Sequence, residues 1–179
     1  MRRIARLSIA ALALAATAPS FASGGPDGVF AQIGEWRHVR AATVGATWDW
    51  SWQRDYGIGK VTGYTEVALG RWQPHGTADD RGYTRFGVTP VLRLYPKAIG
   101  DGWFAEVAIG ANLISPIYHH GSDRFSTTFN FGDHVAVGRR FGANAEHELA
   151  VRFEHFSNAG IKRPNPGQNF LQARYAYRF

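Results

Sequence analysis

Apolar and polar residues alternate along most of this chain, and a period of two residues predicts β-strands rather than helices. The clearest segment is Asn169–Phe179, in which Leu171 and Tyr175 belong to one face while Arg174 and Arg178 belong to the other. Seven earlier segments alternate in a similar way and are, roughly, Val29–Trp36, Ala42–Trp52, Val61–Trp72, Tyr83–Tyr95, Trp103–Leu113, Ser126–Arg140 and His147–Ser157. We therefore expect eight strands.

Each of these strands has one mostly apolar face, and the charged residues collect on the other. Beyond the first 22 residues no apolar run is long enough to cross a bilayer as a helix, so a membrane-spanning form would have to be a barrel. We expect an all-β fold, an eight-stranded antiparallel transmembrane β-barrel that is closed and filled with side chains. The charges expected inside it are Asp49, Glu66, Arg85, Arg93, Glu106, Glu148, Arg152, Glu154, Arg174 and Arg178. Five of these residues are acids and five are bases, so they can neutralise each other. We therefore predict a plugged interior rather than a pore.

Two positions interrupt the regular pattern. Asp133 breaks the alternation of its segment, and we expect a β-bulge or a change of register there. Pro90 lies inside another segment, where its missing N–H requires a local accommodation.

The first residues have the features of a secretory signal. Basic residues at Arg2, Arg3 and Arg6 precede an apolar stretch, which is followed by a segment with small residues that ends at Ala22. We expect cleavage after Ala22, leaving residues 23–179 as a single barrel domain. Cleavage would lower the formal charge from +6 to +3, and the remaining charges alternate in sign, which disfavours a nucleic-acid partner. The chain has no cysteine and so no disulfide.

The most informative candidate chemistry lies at the end of one strand. His155 and Ser157 are two residues apart and should project side by side from the face that is otherwise apolar. An imidazole beside a serine hydroxyl can act as the base that activates a nucleophile. Two interfacial polar residues without chemistry would fit the same pattern.

The flanking residues favour the catalytic interpretation. The segment from Glu154 to Gly167, which reads EHFSNAGIKRPNPG, resembles the terminal motif of the PagL-type lipid A 3-O-deacylases. The resemblance is close from His155 to Phe179 and only architectural before that. It implies an outer-membrane esterase without a cofactor or metal, which hydrolyses the 3-O-linked acyl chain of lipid A (lipopolysaccharide) with its active site facing the outer leaflet.

The same resemblance assigns roles to individual residues. His155 corresponds to the general base and Ser157 to the nucleophile, while Asn158, Gly160 and Asn165 belong to the segment linked with the oxyanion hole. The family places an acid at the start of the last strand to orient the histidine, and Asn169 stands there in this chain. Asparagine can accept a hydrogen bond from imidazole but carries no charge, which leaves the third member of the triad open.

Other interpretations are weaker. A non-catalytic structural barrel would not need the pair His155 and Ser157, and a secreted soluble β-sandwich would not need outer faces this apolar. His119, His120 and Asp123 lack the spaced ligand set that a metal site requires. The sequence determines neither the preferred acyl-chain length nor the oligomeric state, so a homodimer stays open.

Overall fold

The architecture was obtained from a computed structural model, which describes residues 24–76 and 81–179. The predicted signal segment, residues 1–22, lies outside the described residues. Eight long strands form the wall, and their bounds are β1 Gly28–Trp36, β2 Val39–Asp55, β3 Gly59–Pro74, β4 Tyr83–Pro96, β5 Trp103–Ser115, β8 Phe129–Phe141, β9 His147–Ser157 and β10 Gln168–Arg178. A short hairpin, β6 (His119–His120) and β7 (Asp123–Arg124), and a 3-10 turn at Lys97–Ile99 were not anticipated.

The eight strands close into one antiparallel barrel in the order β1-β10-β9-β8-β5-β4-β3-β2. The first strand pairs with the last, from Gly28 opposite Arg178 to Glu35 opposite Leu171. Closure gives each of the eight long strands a hydrogen-bonded neighbour on both sides, so neither the first nor the last strand forms an open edge of the sheet. The predicted fold is confirmed. The main shifts in bounds are that β8 begins at Phe129 rather than Ser126 and that β2 runs from Val39 to Asp55 rather than from Ala42 to Trp52. No helix among the described residues is long and apolar enough to cross a membrane.

The two ends of the barrel differ in their connections. One end, here called the turn end, carries both termini of the wall and the connections 56–58, 97–102 and 142–146. The other end, here called the loop end, carries the longer connections 75–82, 116–128 and 158–167, together with a tight turn at Arg37 and His38.

The outer wall is apolar and the interior is polar. Outward side chains such as Ile33, Val107 and Val151 are more than half exposed. Inward positions hold charged side chains that pair with one another: Glu66 binds Arg152 at 3.0 Å and Arg174 at 3.1 Å. Such a wall suits contact with lipid, and the paired charges offset the cost of burial.

Eight of the ten charges expected inside are buried there. The other two, Asp49 and Arg178, lie at the turn end, where they pair with each other. The Asp49 side chain is 42% exposed, so its assignment to the sealed interior was wrong. Asp49 is exposed because it lies where β2 continues, at the turn end, beyond the closed part of the wall.

Aromatic side chains fill the interior at the loop end. Trp72 lies 4.8 Å from the ring of Phe156 and 4.9 Å from that of Phe170, and all three are buried. Tyr118 and Phe125, from the connection 116–128, close the cluster from above. This packing fixes the ends of β9 and β10, because Phe156 and Phe170 are the inward neighbours of the candidate site residues.

The expectation of a bulge at Asp133 was wrong. Asp133 pairs with Ile109 on β5 and with His155 on β9, and the register is continuous on both sides. The strand alternates normally, and Asp133 is a polar residue on the outward face. The irregular pairing lies instead between β2 and β3, where the register shifts between Asp49 and Gln53.

Pro90 is accommodated as its missing donor requires. It pairs with Thr65 on β3, whereas the ladder between β4 and β5 passes from Val88 to Val91 without a pair at Thr89 or Pro90. The register on either side of this gap is unchanged, so one missing N–H costs local hydrogen bonds and leaves the strand intact.

Candidate active site

His155 and Ser157 lie in the last three residues of β9, at the loop end. Both are half-buried on the outward face, in line with Leu149, Val151 and Phe153. The residue between them, Phe156, points inward and has no exposed surface. The strand therefore presents a base and a hydroxyl together on the outer wall, as its alternation predicted.

Asn169 lies directly opposite His155 in the register of β10 with β9. The Nδ1 atom of His155 is 2.6 Å from the Oδ1 atom of Asn169. An amide oxygen can only accept, so Nδ1 carries the hydrogen and, in the neutral ring, Nε2 is left as the acceptor. Asn169 is thus hydrogen-bonded to the imidazole, and its outward placement beside Leu171 agrees with the parity argued from sequence.

The end of the connection 158–167 lies over the imidazole. A Cβ atom at Gly167 would be 2.6 Å from Cε1 of His155 and 3.3 Å from Nε2. Gly167 also has φ +76°, a left-handed conformation that side chains disfavour. Glycine is therefore required here for two reasons, and it is a site residue that the sequence motif contained without a stated role.

Asn158 organises this connection from a fully buried position. Its Nδ2 atom donates to Lys162 O at 2.7 Å and to Ser126 Oγ at 3.0 Å, and its Oδ1 accepts from the Gly160 N–H at 3.0 Å. These contacts occupy the side chain of Asn158 and the N–H of Gly160 inside the loop. Both residues shape the loop around the site.

Asn165 is differently placed. Its Oδ1 accepts a hydrogen bond from the backbone N–H of Asn158 at 3.0 Å. This bond holds the carboxamide of Asn165 against the backbone of Asn158, the residue that follows Ser157. The NH₂ group of Asn165 is left as the donor of that side chain. Among the three predicted amide donors, Asn165 therefore has the side chain best suited to meet an oxyanion.

A second contact secures the start of β10. The Tyr118 hydroxyl donates to Oε1 of Gln168 at 3.0 Å, and Gln168 immediately precedes Asn169. Burial raises the pKa of the Tyr118 hydroxyl, so that it stays protonated and able to donate. The position of Asn169 thus depends on the interior cluster below it as well as on its own strand.

The neighbouring strand β8 adds residues that the sequence did not assign. Phe131 lies opposite Ser157, and Asp133 lies opposite His155. Below them a shallow groove of about 560 Å³ runs along the outer wall, with apolar walls from Leu92, Val107 and Phe153 among others. The site is therefore flanked by apolar surface of the kind an acyl chain would contact.

The remaining polar candidates are dispersed. Lys162 and Arg163 are exposed on the loop. His119, His120 and Asp123 belong to the hairpin β6–β7, where His120 pairs with Asp123 across the turn. Within residues 24–76 and 81–179, no group of three or more His, Cys, Asp or Glu side chains is placed to hold a metal ion.

Comparison with known proteins identifies the family. A model of the family "Lipid A 3-O-deacylase (PagL)" matches residues 39–178. The curated lipid A deacylase PagL of Bordetella bronchiseptica is 30% identical over 174 residues, covering 96% of this chain and 93% of that protein. The lipid A deacylase PagL of Pseudomonas aeruginosa is 33% identical over 129 residues, 69% of each chain. The crystal structure of the outer membrane enzyme PagL superposes with a TM-score of 0.70 at 27% identity, covering 85% of this chain and 99% of that one.

The sequence match extends over most of the chain and not only over the short motif. The closed barrel and its apolar outer wall are those expected of an outer-membrane enzyme. The chain belongs to the lipid A 3-O-deacylase (PagL) family of outer-membrane β-barrel enzymes.

Proposed function

We propose that this protein hydrolyses the 3-O-linked acyl ester of lipid A through an acyl-enzyme, with Ser157 as nucleophile and His155 as general base. The observation that carries this proposal is the 2.6 Å contact between His155 Nδ1 and Asn169 Oδ1 on the outward face. It holds the ring in the tautomer whose free nitrogen can take the serine proton. A polar pair on a wall that otherwise meets lipid lowers stability, and a catalytic role accounts for its presence.

The reaction follows from these groups. Nε2 of His155 takes the proton of the Ser157 hydroxyl as Oγ attacks the ester carbonyl. Amide donors, chiefly the Asn165 side chain, stabilise the oxyanion. The imidazolium then protonates the sugar oxygen, which leaves, and the acyl group stays on Ser157. His155 then takes a proton from a water molecule as that water attacks the acyl-serine, and it returns the proton to Ser157 Oγ as a 3-hydroxy fatty acid is released.

The substrate arrives from the side of the barrel in this proposal. Transmembrane barrels place their longer connections outside the cell, so the loop end would lie in the outer leaflet, where lipid A resides. The apolar groove beside Phe153 would receive an acyl chain. Lys162 and Arg163 on the exposed loop would be placed to meet the phosphates of lipid A.

Removal of residues 1–22 on export would leave residues 23–179 as the barrel in the membrane.

The test is fatty-acid release from purified lipid A. We expect the folded wild-type protein to release one 3-hydroxy fatty acid, detected by mass spectrometry of both products, and to release none from lipid A that lacks the 3-O-acyl chain. Ser157→Ala should reduce the rate by at least about 10³-fold while still folding. Ser122→Ala is the matched control, because Ser122 lies in the turn of the hairpin β6–β7 and not on the strand that carries His155.

The alternative function is a structural barrel without activity. It predicts no release by any variant. Release by Ser157→Ala at the wild-type rate would retain the enzyme and reject the proposed nucleophile.

A further inference from the structure

Asp133 is an acid in a place where an acid is unfavourable. It is exposed on the outer face of β8, where its outward neighbours along the strand are Phe131 and Val135. Across β5 it faces Ile109, which is 64% exposed. A carboxylate on a lipid-facing wall lowers the stability of a barrel. Packing therefore gives no reason for an aspartate at this position.

No ion pair accounts for Asp133 either. Among the residues that the structure describes, no lysine, arginine or histidine lies within salt-bridge distance of its carboxylate. By contrast Glu35, an outward acid on β1, is bound by Arg40 at 3.3 Å and His75 at 3.0 Å. The unpaired charge of Asp133 is therefore available to a neighbouring group that acquires positive charge only during the reaction.

The register identifies that neighbour. Asp133 lies directly opposite His155 on one side, and Asn169 lies directly opposite His155 on the other. Side chains of directly opposed residues in an antiparallel pair start about 4.5–5.5 Å apart at Cβ. Because Asn169 already holds Nδ1, the way left for the carboxylate of Asp133 to influence the ring is through its electric field.

We propose that Asp133 is a positioning residue that supplies the negative charge which the Ser157–His155–Asn169 arrangement lacks. Asn169 orients the imidazole by a hydrogen bond, and Asp133 stabilises the imidazolium that forms when Ser157 loses its proton. In this proposal β10 provides the hydrogen bond that orients the ring, and β8 provides the negative charge. This inference rests on the proposed function of Ser157 and His155.

The first test is the pH dependence of Asp133→Asn. The groups that face His155 are Asp133 from β8, neutral Asn169 from β10 and Ser157 from its own strand. The exposed loop 158–167 also carries two cations, Lys162 and Arg163. Losing the carboxylate disfavours the protonated ring. We therefore expect the acid limb of kcat/KM to move to lower pH by about one unit, and kcat on the plateau to fall about 10- to 100-fold.

Two comparisons separate this role from a structural one. Asp133→Glu keeps the charge and should recover most of the lost kcat, whereas Glu35→Gln removes an outward acid that is already paired and should move the acid limb by less than about 0.3 unit. The urea midpoint for unfolding of Asp133→Asn should equal or exceed that of the wild type, because a charge leaves the lipid-facing wall. A lower midpoint, or a fall in kcat with an unmoved acid limb, would show a structural role and overturn the proposal.

The closing experiment is a double-mutant cycle with Asn169→Glu. A glutamate at residue 169 would bring a charge next to Nδ1, so Asp133→Asn should cost less than about threefold in kcat in that background. An equal cost in both backgrounds would contradict the proposal while leaving Ser157 and His155 in their roles. Wild-type protein without deacylase activity, or an active Ser157→Ala variant, would instead reject the proposed function on which it rests.

Discussion

Gly167→Ala should slow the enzyme strongly by moving its imidazole. The added Cβ would lie 2.6 Å from Cε1 of His155. Non-bonded carbon atoms favour about 3.5–4.0 Å, so the ring would have to retreat by roughly 1 Å. A displacement of that size can cost about 10²-fold in rate, which corresponds to about 2.7 kcal/mol in the activation barrier. We expect kcat for fatty-acid release from lipid A to fall by about that factor.

The same substitution also strains the backbone, since φ at Gly167 is +76°. An alanine in that region costs about 1–2 kcal/mol, and this part should appear in the urea midpoint rather than in kcat. Gly57→Ala is the matched control: φ is +79°, and nothing lies within 4 Å of the added Cβ. It should lose similar stability and keep the wild-type kcat. Wild-type kcat in a folded Gly167→Ala variant would refute the described position of His155.

Three further outcomes follow from the contacts. Asn169→Ala should lower kcat about 10- to 100-fold by releasing Nδ1 of His155, and Asn169→Glu should preserve or raise it, as measured by fatty-acid release. Asn158→Ala should lose its buried hydrogen bonds, at about 1–3 kcal/mol, and make the connection 158–167 sensitive to limited proteolysis. Glu66→Gln should lower barrel stability by about 3–5 kcal/mol in urea, because Arg152 would be left buried with incomplete compensation, while kcat changes little. A Glu66→Gln barrel as stable as the wild type would contradict the paired-charge interior.

The alternation of side chains made most of this structure predictable. Period two gave the eight strands, and parity placed His155, Ser157 and Asn169 on one face, because the direction of a side chain on a strand depends only on local geometry. The inward direction of Glu154 followed from the same rule, and it is buried against Arg85 at 3.4 Å.

What the sequence did not give depends on how strands are paired. Asp133 looked like an irregularity, because its meaning lies in the register that sets it opposite His155, and register is a tertiary property. The contact of Gly167 with the imidazole likewise requires the path of the connection 158–167. Asp49 was misplaced because parity gives the direction of a side chain but not its height along the barrel.

The central claim is that Ser157 is a nucleophile activated on the outer wall. It is tested most directly by treating the folded protein with a long-chain alkyl fluorophosphonate, which phosphonylates activated serines, and mapping the adduct by mass spectrometry. We predict a single adduct on Ser157, absent in a folded His155→Ala variant and blocked by prior addition of lipid A. An adduct on another residue, or full deacylase activity after complete modification of Ser157, would contradict it.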